Sequence, residues 1–324
     1  MANINDVAKL AGVSKSTVSH VFNNTKYTSE EVTQRVLEAA EKINYKSNYY
    51  AKTLATNKSQ VIGIQLDSPT GSMNMFQQKV TNGILKVCSD EGYYLLLMPN
   101  TAKEKEYFPI DGLIQMNPTL TDLEIVDTPH IWLGRPNYFI IETSYFVDND
   151  NEKVMERLMD LLLPNIKECV LFMNAPEDMT VSRDREQGFS KAIINNKEFD
   201  IQTLHVNYQR GLSPATFAYE TLSELWKENN IDTIIVDNDF MAQGVYKFAM
   251  DNQLSIPEEL SIIAVSESLE SSEFFTPPLS YVDLKEEELG EKIAANLIKK
   301  INNQDISKRE IVKSEIKIKG SLRE

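Results

Sequence analysis

Apolar side chains recur at helical spacing through residues 4–43, then change rhythm. From Val61 onward they gather into short runs separated by amphipathic stretches. In the first part, Ile4, Val7, Ala8 and Ala11 share one face of a predicted helix, which Asn3, with Asp6 three residues on, can cap. Gly12 lets the backbone turn where a side chain would clash, and Ser14 is a good N-cap for a second helix running to about Phe22. Val18, Val21 and Phe22 turn inward there, which leaves Lys15, Ser16, Thr17, Ser19 and His20 on the outer face. After a loop from Asn23 to Tyr27, Thr28 and Ser29 offer caps, with Glu31 placed to complete a capping box from Thr28. A third helix to about Ile43 has Val32, Val36, Leu37, Ala40 and Ile43 as its expected buried stripe. The pattern is helix, tight turn, helix, then a third helix closing a small core.

The second part alternates strand and helix. Strands are expected at Val61–Leu66, Tyr93–Met98, Gly112–Met116 and His130–Leu133, and again at Glu168–Met173, Ile201–Val206, Thr233–Val236 and Ser261–Val265. Helices are expected at Phe76–Ser89, Glu152–Leu163, Glu186–Asn195, Pro214–Glu228 and Met241–Asn252. Such alternation predicts parallel sheets covered on both faces, and two sets predict two similar lobes with a cleft at the carboxyl ends of the strands. The fold class is therefore a small all-α helix-turn-helix head followed by an α/β two-lobed core of two doubly wound parallel sheets.

Composition refines this picture at three points. At 324 residues the chain can bury a large core, and no apolar run reaches membrane-spanning length. No secretory signal pattern opens the chain and its two cysteines, Cys88 and Cys169, sit in apolar surroundings, so a cytoplasmic location with reduced core thiols is expected. The net charge of −15 would argue against nucleic acid, but its distribution does not. Residues 1–60 hold eight Lys/Arg against five Asp/Glu, a net of +3, which leaves −18 for the rest. A basic head on an acidic body suits a DNA reader whose body stays off the phosphates. Small polar groups at a helix N-terminus suit it too, because they reach base edges without blocking the major groove.

The run Ile4-Asn5-Asp6-Val7-Ala8-Lys9-Leu10-Ala11-Gly12-Val13-Ser14, then Thr17-Val18-Ser19-His20-Val21 and Asn23-Asn24, strongly resembles the LacI/GalR family of bacterial repressors. The resemblance continues along the chain through Asp111-Gly112, Asp148-Asn149, Arg185-Glu-Gln-Gly188-Phe189, Asn238-Asp239-Phe-Met241-Ala242-Gln-Gly244 and Ile318-Lys319-Gly320-Ser321. It implies a DNA-binding head at 1–47, a hinge helix and linker at 48–60, and a core at 61–324 of the periplasmic-binding-protein fold. Lobe one would take about 61–147 and 285–305, and lobe two about 148–284 and 306–324. Candidate DNA contacts are Asn3, Ser14, Lys15, Ser16, Thr17, His20, Asn23 and Lys26, with Ala51 and Leu54 from the hinge. Leu54 takes the place of the family leucine that wedges between base pairs from the minor groove, and Ala51 fits close approach of paired hinges. The hinge is too short for a stable isolated helix and should fold only on DNA. Ser47 stands where the family has proline.

The same resemblance places the effector in the cleft. Arg185, expected at the start of a helix, has a planar fork that can grip two sugar hydroxyls or a phosphate, unless a salt bridge with Asp184 or Glu186 occupies it. Asn238 and Asp239 can bond adjacent hydroxyls of a polyol, although Asp239 can equally cap the helix from Met241. Tyr208 is a candidate ring for a sugar's apolar face, and Asn74 and Phe76 can close the site from the first lobe. Three departures weaken the usual sugar contacts. Ser266 stands where the family has aspartate, Gly134-Arg135 replaces Asp-Arg, and only about a dozen residues separate Met98 from Asp111, where a longer helix-bearing stretch is usual.

The implied protein is a homodimeric repressor of a near-palindromic DNA operator, controlled by a small carbohydrate or sugar phosphate, with no cofactor, no metal and no membrane partner. The alternative is a relative controlled by a phosphorylated protein corepressor, or one whose cleft has lost its sugar. Catalysis is not expected: His20, His130 and His205 are scattered, and no Gly-x-Ser-x-Gly, phosphate loop or paired-cysteine spacing is present.

Overall fold

The computed structural model describes residues 2–23, 26–45, 53, 58–66, 73–99, 109–122, 127–266 and 271–323. Ser47 and the hinge positions Ala51 and Leu54 lie outside the described residues. The chain divides into two compact units, Met1–Gln60 and Val61–Glu324.

In the first unit, α1 (Ile4–Ala11), α2 (Lys15–Asn23) and α3 (Glu30–Lys42) enclose Val7, Ala8, Ala11, Val18, Val36, Ala39 and Ala40. Asn3 and Asp6 form a reciprocal capping box, and Gly12 ends α1 at φ 66°, a left-handed conformation that a Cβ disfavours. Phe22 meets Tyr45 edge to face at 5.6 Å, which ties the end of α2 to the segment after α3. Two expectations fail here. The cap of α3 is Ser29, which accepts from the Val32 amide, so Thr28 and Glu31 form no box. Leu37 is 46% exposed, and Ala39 takes its place in a stripe of Val32, Val36, Ala39, Ala40 and Ile43. Small alanines there let three short helices approach closely.

The second unit holds two six-stranded sheets. The first is built from β1 (Val61–Leu66), β2 (Tyr94–Pro99), β3 (Gly112–Met116), β4 (His130–Leu133), β5 (Phe146–Asp148) and β11 (Arg309–Ile311), in the order β11-β5-β4-β3-β1-β2. The second is built from β6 (Cys169–Asn174), β7 (Gln202–Asn207), β8 (Ile231–Val236), β9 (Ser261–Ala264), β10 (Ser280–Asp283) and β12 (Glu315–Lys317), in the order β12-β10-β9-β8-β6-β7. All pairings are parallel except β10 with β12. Continuous burial along β6 and β8 follows from cover on both faces.

Helices α4 (Met75–Asp90) and α9 (Glu286–Ile301) cover one face of the first sheet. A Cβ on Gly83 would stand 2.0 Å from Glu287 O, and one on Gly290 2.0 Å from Val80 O, so these glycines let the two backbones touch. In the second lobe, α5 (Asn151–Leu162) and α6 (Thr180–Asn195) cover one face, and α7 (Pro214–Leu225) and α8 (Asp239–Asp251) the other.

The chain crosses between the sheets after β5, after β10 and after β11. Placing residues from 306 onward in the second lobe is therefore corrected: β11 belongs to the first sheet, and the last crossing falls between Ile311 and Glu315. Asn149 ties the three crossings together, its amide donating to Leu284 O at 2.8 Å and to Val312 O at 3.0 Å. Replacing it by alanine leaves two buried carbonyls unpaired. We expect Asn149→Ala to cost about 2–4 kcal/mol in urea unfolding, and a loss of under roughly 0.5 kcal/mol would show that the clasp is dispensable.

Candidate nucleic-acid interface and interlobe cleft

On the head, the N-terminus of α2 carries a cluster of hydroxyls. Ser14 Oγ accepts from the Thr17 amide at 3.1 Å and lies 2.7 Å from Ser16 Oγ and 2.8 Å from Thr17 Oγ1. Lys15 and Ser16 are exposed, and Thr17 and His20 are half-buried. Asn3, whose side chain accepts from the Asn5 amide at 2.9 Å, and Lys26 are also exposed, and Asn23 is the last residue of α2. The helix end thus combines free peptide dipole, hydroxyls and a lysine on a surface narrow enough for a major groove. Sequence reasoning passed over Tyr27, 95% exposed beside Lys26, because an isolated tyrosine in a loop has no periodic signal.

In the body, the carboxyl ends of the two sheets face each other. Thr180 donates to Pro118 O through its amide (3.0 Å) and its hydroxyl (3.1 Å), and the Leu120 amide donates to Asp178 O at 2.8 Å. Arg135, from the first lobe, reaches Asp184 at 3.8 Å and Glu152 at 4.0 Å in the second. Direct bonds therefore already join the lobes on this side.

Arg185 is 5% exposed and lies in the second turn of α6, not at a helix start, because the helix begins at Thr180. Its Nε donates to Asn151 Oδ1 at 3.0 Å and its Nη1 to the Asp237 carboxylate. The expected structural partners are not the ones it uses. Asp184 is held by Arg183 at 2.8 Å, and Glu186 lies 3.6 Å from His205. Asn151 in turn donates to Asp148 Oδ1 at 2.9 Å. Arg185 thus links the base of α6 to the β8 end and to the first crossing. Asn151 and Asp237 escaped sequence reasoning because neither stands in a periodic or spaced motif with Arg185.

The other candidates also have internal partners. Asn238, rather than Asp239, caps α8: its Oδ1 accepts from the Met241 amide at 3.1 Å, and its Nδ2 donates to Asp237 at 2.9 Å. Asp239 is 2% exposed and accepts from Ser271 Oγ at 2.5 Å. Asn74 caps α4 in a reciprocal box with Gln77, and Phe76 packs against the cores of both lobes. Ser266 donates to Glu286 Oε1 at 3.4 Å, and Lys79 stands 3.8 Å from the same carboxylate. Tyr208 is set on α7, its ring edge-on to Phe217 at 5.3 Å and its hydroxyl donating to Leu212 O. The structure brings Arg185 and Asn238 together through Asp237, and leaves Tyr208 with α7.

Burial dominates the electrostatics. It pushes the Asp148 carboxyl up to about 6, and raises Asp184 and Glu286 above the usual carboxylate range against the opposing pull of Arg183 and Lys79 respectively. Such a site can hold a polar ligand by exchanging internal partners for it. No group of His, Cys, Asp and Glu among the described residues could hold a metal ion, and no helix among them is long and apolar enough to cross a membrane.

Comparison with known proteins agrees with this architecture. Residues 3–48 match the lacI family of bacterial regulatory proteins, and residues 165–322 match a periplasmic binding protein-like domain. An HTH-type transcriptional repressor PurR of Vibrio atlanticus (strain LGP32) is 27% identical over 328 residues, covering 95% of each chain. The Lac repressor dimer bound to operator and the anti-inducer ONPF is 18% identical with a TM-score of 0.78, over 99% of this chain and 98% of that one. The complex of the transcriptional regulator CelR with cellobiose is also 18% identical, with a TM-score of 0.69 over 99% of this chain and 100% of that one.

Asp148 gives this site a pH signature. Its folded value, about 6, exceeds the unfolded one, so its contribution to stability is present in full below about pH 4 and lost as pH rises through 6. Asp148→Asn should remove that loss. We expect the variant to exceed the parent by up to roughly 3 kcal/mol at pH 8 and to converge on it at pH 4, measured by urea unfolding across pH. A gain that is independent of pH would contradict the assignment.

Proposed function

The chain belongs to the LacI family of bacterial regulatory proteins, a DNA-binding transcriptional repressor rather than an enzyme, and on that premise we propose that it acts as a homodimer whose operator affinity is set by a small carbohydrate-type effector between the core lobes. The observation that carries the DNA-binding part is the hydroxyl-and-lysine N-terminus of α2, exposed on a packed three-helix head. Two heads would enter successive major grooves of a near-palindromic operator, with Lys15, Ser16, Thr17 and His20 contacting bases and backbone. Paired hinges would bend the central step, with Leu54 as the wedge.

Dimerisation is supported by apolar surface on one side of the first lobe. β2 is the edge strand of its sheet, Tyr94 and Leu97 on it are 68% and 45% exposed, and Leu85 on α4 is 52% exposed. An apolar edge strand pairs readily with a second copy. The effector reading is supported by the polar side chains at the facing strand ends and by the cellobiose complex of a protein with the same fold. A ligand that favours one angle between the lobes would couple to DNA affinity, and the coupling must be reciprocal.

One observation favours the second reading, control by a phosphorylated protein corepressor with no sugar in the cleft. Arg185, Asp239 and Ser266 each have an internal partner, and the lobes are already bonded at Pro118 and Thr180.

Two measurements test these readings. On a duplex selected from a random pool, Lys15→Ala and Thr17→Ala should each weaken binding by about tenfold, roughly 1–3 kcal/mol for a lost base or phosphate contact. Unchanged affinity in both would place DNA recognition elsewhere. In a thermal-shift screen of mono- and disaccharides and their phosphates, an effector at about 100 times its Kd stabilises by about 2.7 kcal/mol. That rise should vanish in Arg185→Ala. A panel without a hit moves the conclusion to the protein corepressor.

A further inference from the structure

The first sheet carries a polar row that the cleft as described does not use. Strand register sets Gln65 of β1 beside Gln115 of β3, and Gln115 beside Trp132 of β4. Register partners leave a sheet on the same face, so these three side chains stand in a row near the carboxyl ends of their strands. The face is the one opposite α4 and α9, since the alternate residues Ile64, Ile114 and Leu133 pack in the helix-covered core. Just beyond this row the chain enters the segments that meet the second lobe: Pro118 follows β3 and accepts from Thr180, and Arg135 follows β4 and reaches Asp184. The row therefore lies one layer beneath the first-lobe wall of the cleft.

Gln115 is 9% exposed and Trp132 4%. The Gln115 amide donates to Gln65 Oε1 at 3.2 Å, but Gln115 Oε1 and Trp132 Nε1 have no hydrogen-bond partner among the described residues. Buried polar atoms are paired almost everywhere in folded proteins, so an unpaired acceptor and an unpaired donor on register partners of one sheet face call for an occupant. The pair defines its chemistry. A hydroxyl accepts from the indole N–H and gives its own proton to the amide oxygen. An anion would be repelled by Gln115 Oε1, an ammonium by the indole N–H, and a ketone would satisfy only one of the two. Gln65 is half-buried, which gives the row its side toward solvent.

We propose that Gln115 and Trp132 bind a hydroxyl of a neutral polyol or sugar, as the first-lobe recognition point of the interlobe cleft. This rests on the reading of that cleft as an effector site.

The chain has two tryptophans, and Trp226 packs on Phe248 in the second lobe at 5.4 Å, so Trp226→Phe leaves Trp132 as the sole reporter. The full-length variant is titrated with D-glucose, D-ribose, maltose and cellobiose while Trp132 emission and melting temperature are followed. At least one sugar should shift the emission and raise the melting temperature. Gln115→Met should weaken that sugar tenfold or more, yet melt at or above the parent when ligand-free, because the buried acceptor Gln115 Oε1 goes with the side chain while Gln65, which loses its donor, is only half-buried. Trp132→Phe in the unmodified chain, which keeps a ring but not the N–H, should weaken the same sugar.

A sugar that raises the melting temperature without moving Trp132 emission, and binds Gln115→Met undiminished, would leave the cleft reading standing and overturn this one, with the two atoms holding a water only. A ligand-free Gln115→Met that melts well below the parent would overturn it as well, since Gln115 would then be structural. No response of either kind to any of the four sugars would overturn this proposal and the sugar reading together.

Discussion

Where the chain crosses between the lobes, one amide ties the three crossing segments together. Asn149 is 5% exposed, and both protons of its Nδ2 are used, one on Leu284 O and one on Val312 O. A third bond, from the Val312 amide to Asp148 O at 2.9 Å, closes the group. Each acceptor belongs to a different crossing of the chain between the sheets. An aspartate at 149 would turn donors into acceptors against two carbonyls, and a leucine would leave both carbonyls unpaired. Because the crossings are fixed there, the carboxyl ends of both sheets face each other, and every polar group of the cleft takes its place from that arrangement.

The cleft is then a problem of buried charge. Asp148, Asp184 and Glu286 are each 5% exposed or less, and desolvation raises all three. Arg183 and Arg135 offset this at Asp184, and Lys79 at Glu286, by direct pairing, while Arg185 is paired with Asp237. Breaking one such pair by truncation strands the remaining charge, which is why these contacts constrain the geometry more than they stabilise it. The chain Asp237–Arg185–Asn151–Asp148 runs from the end of β8 to the first crossing.

Much of this was legible in the chain. The caps at Asn3 and Ser14, the left-handed turn at Gly12 and the inward faces of the first two helices follow from local rules, and all occur. The strands of the body that are continuous apolar runs were found to within a residue or two, because a buried parallel strand has few other readings. The short strands β5, β10, β11 and β12 were not, since three or four residues without a sustained apolar run leave no pattern to detect. In the third helix the cap is Ser29 rather than a box at Thr28, and Ala39 rather than Leu37 joins Val36 and Ala40 on the buried face.

At the site the division is similar. The residues Arg185, Asn238, Asp239 and Ser266 could be named from the sequence, together with the kind of chemistry their side chains allow. Their partners could not, because Asp237, Asn151, Ser271 and Glu286 come from separate strands and helices with no shared spacing. What the sequence determined by itself was everything governed by near neighbours along the chain: helix faces, turns, apolar strands, the basic head on an acidic body, and the family these add up to. What only the tertiary structure decided was which groups meet across distance: the clasp at Asn149, the ion pair that occupies Arg185, and the unpaired atoms of Gln115 and Trp132. Local preference is written in consecutive side chains, whereas pairing across the cleft depends on where three crossings bring the sheets, and that is settled only when the whole chain packs.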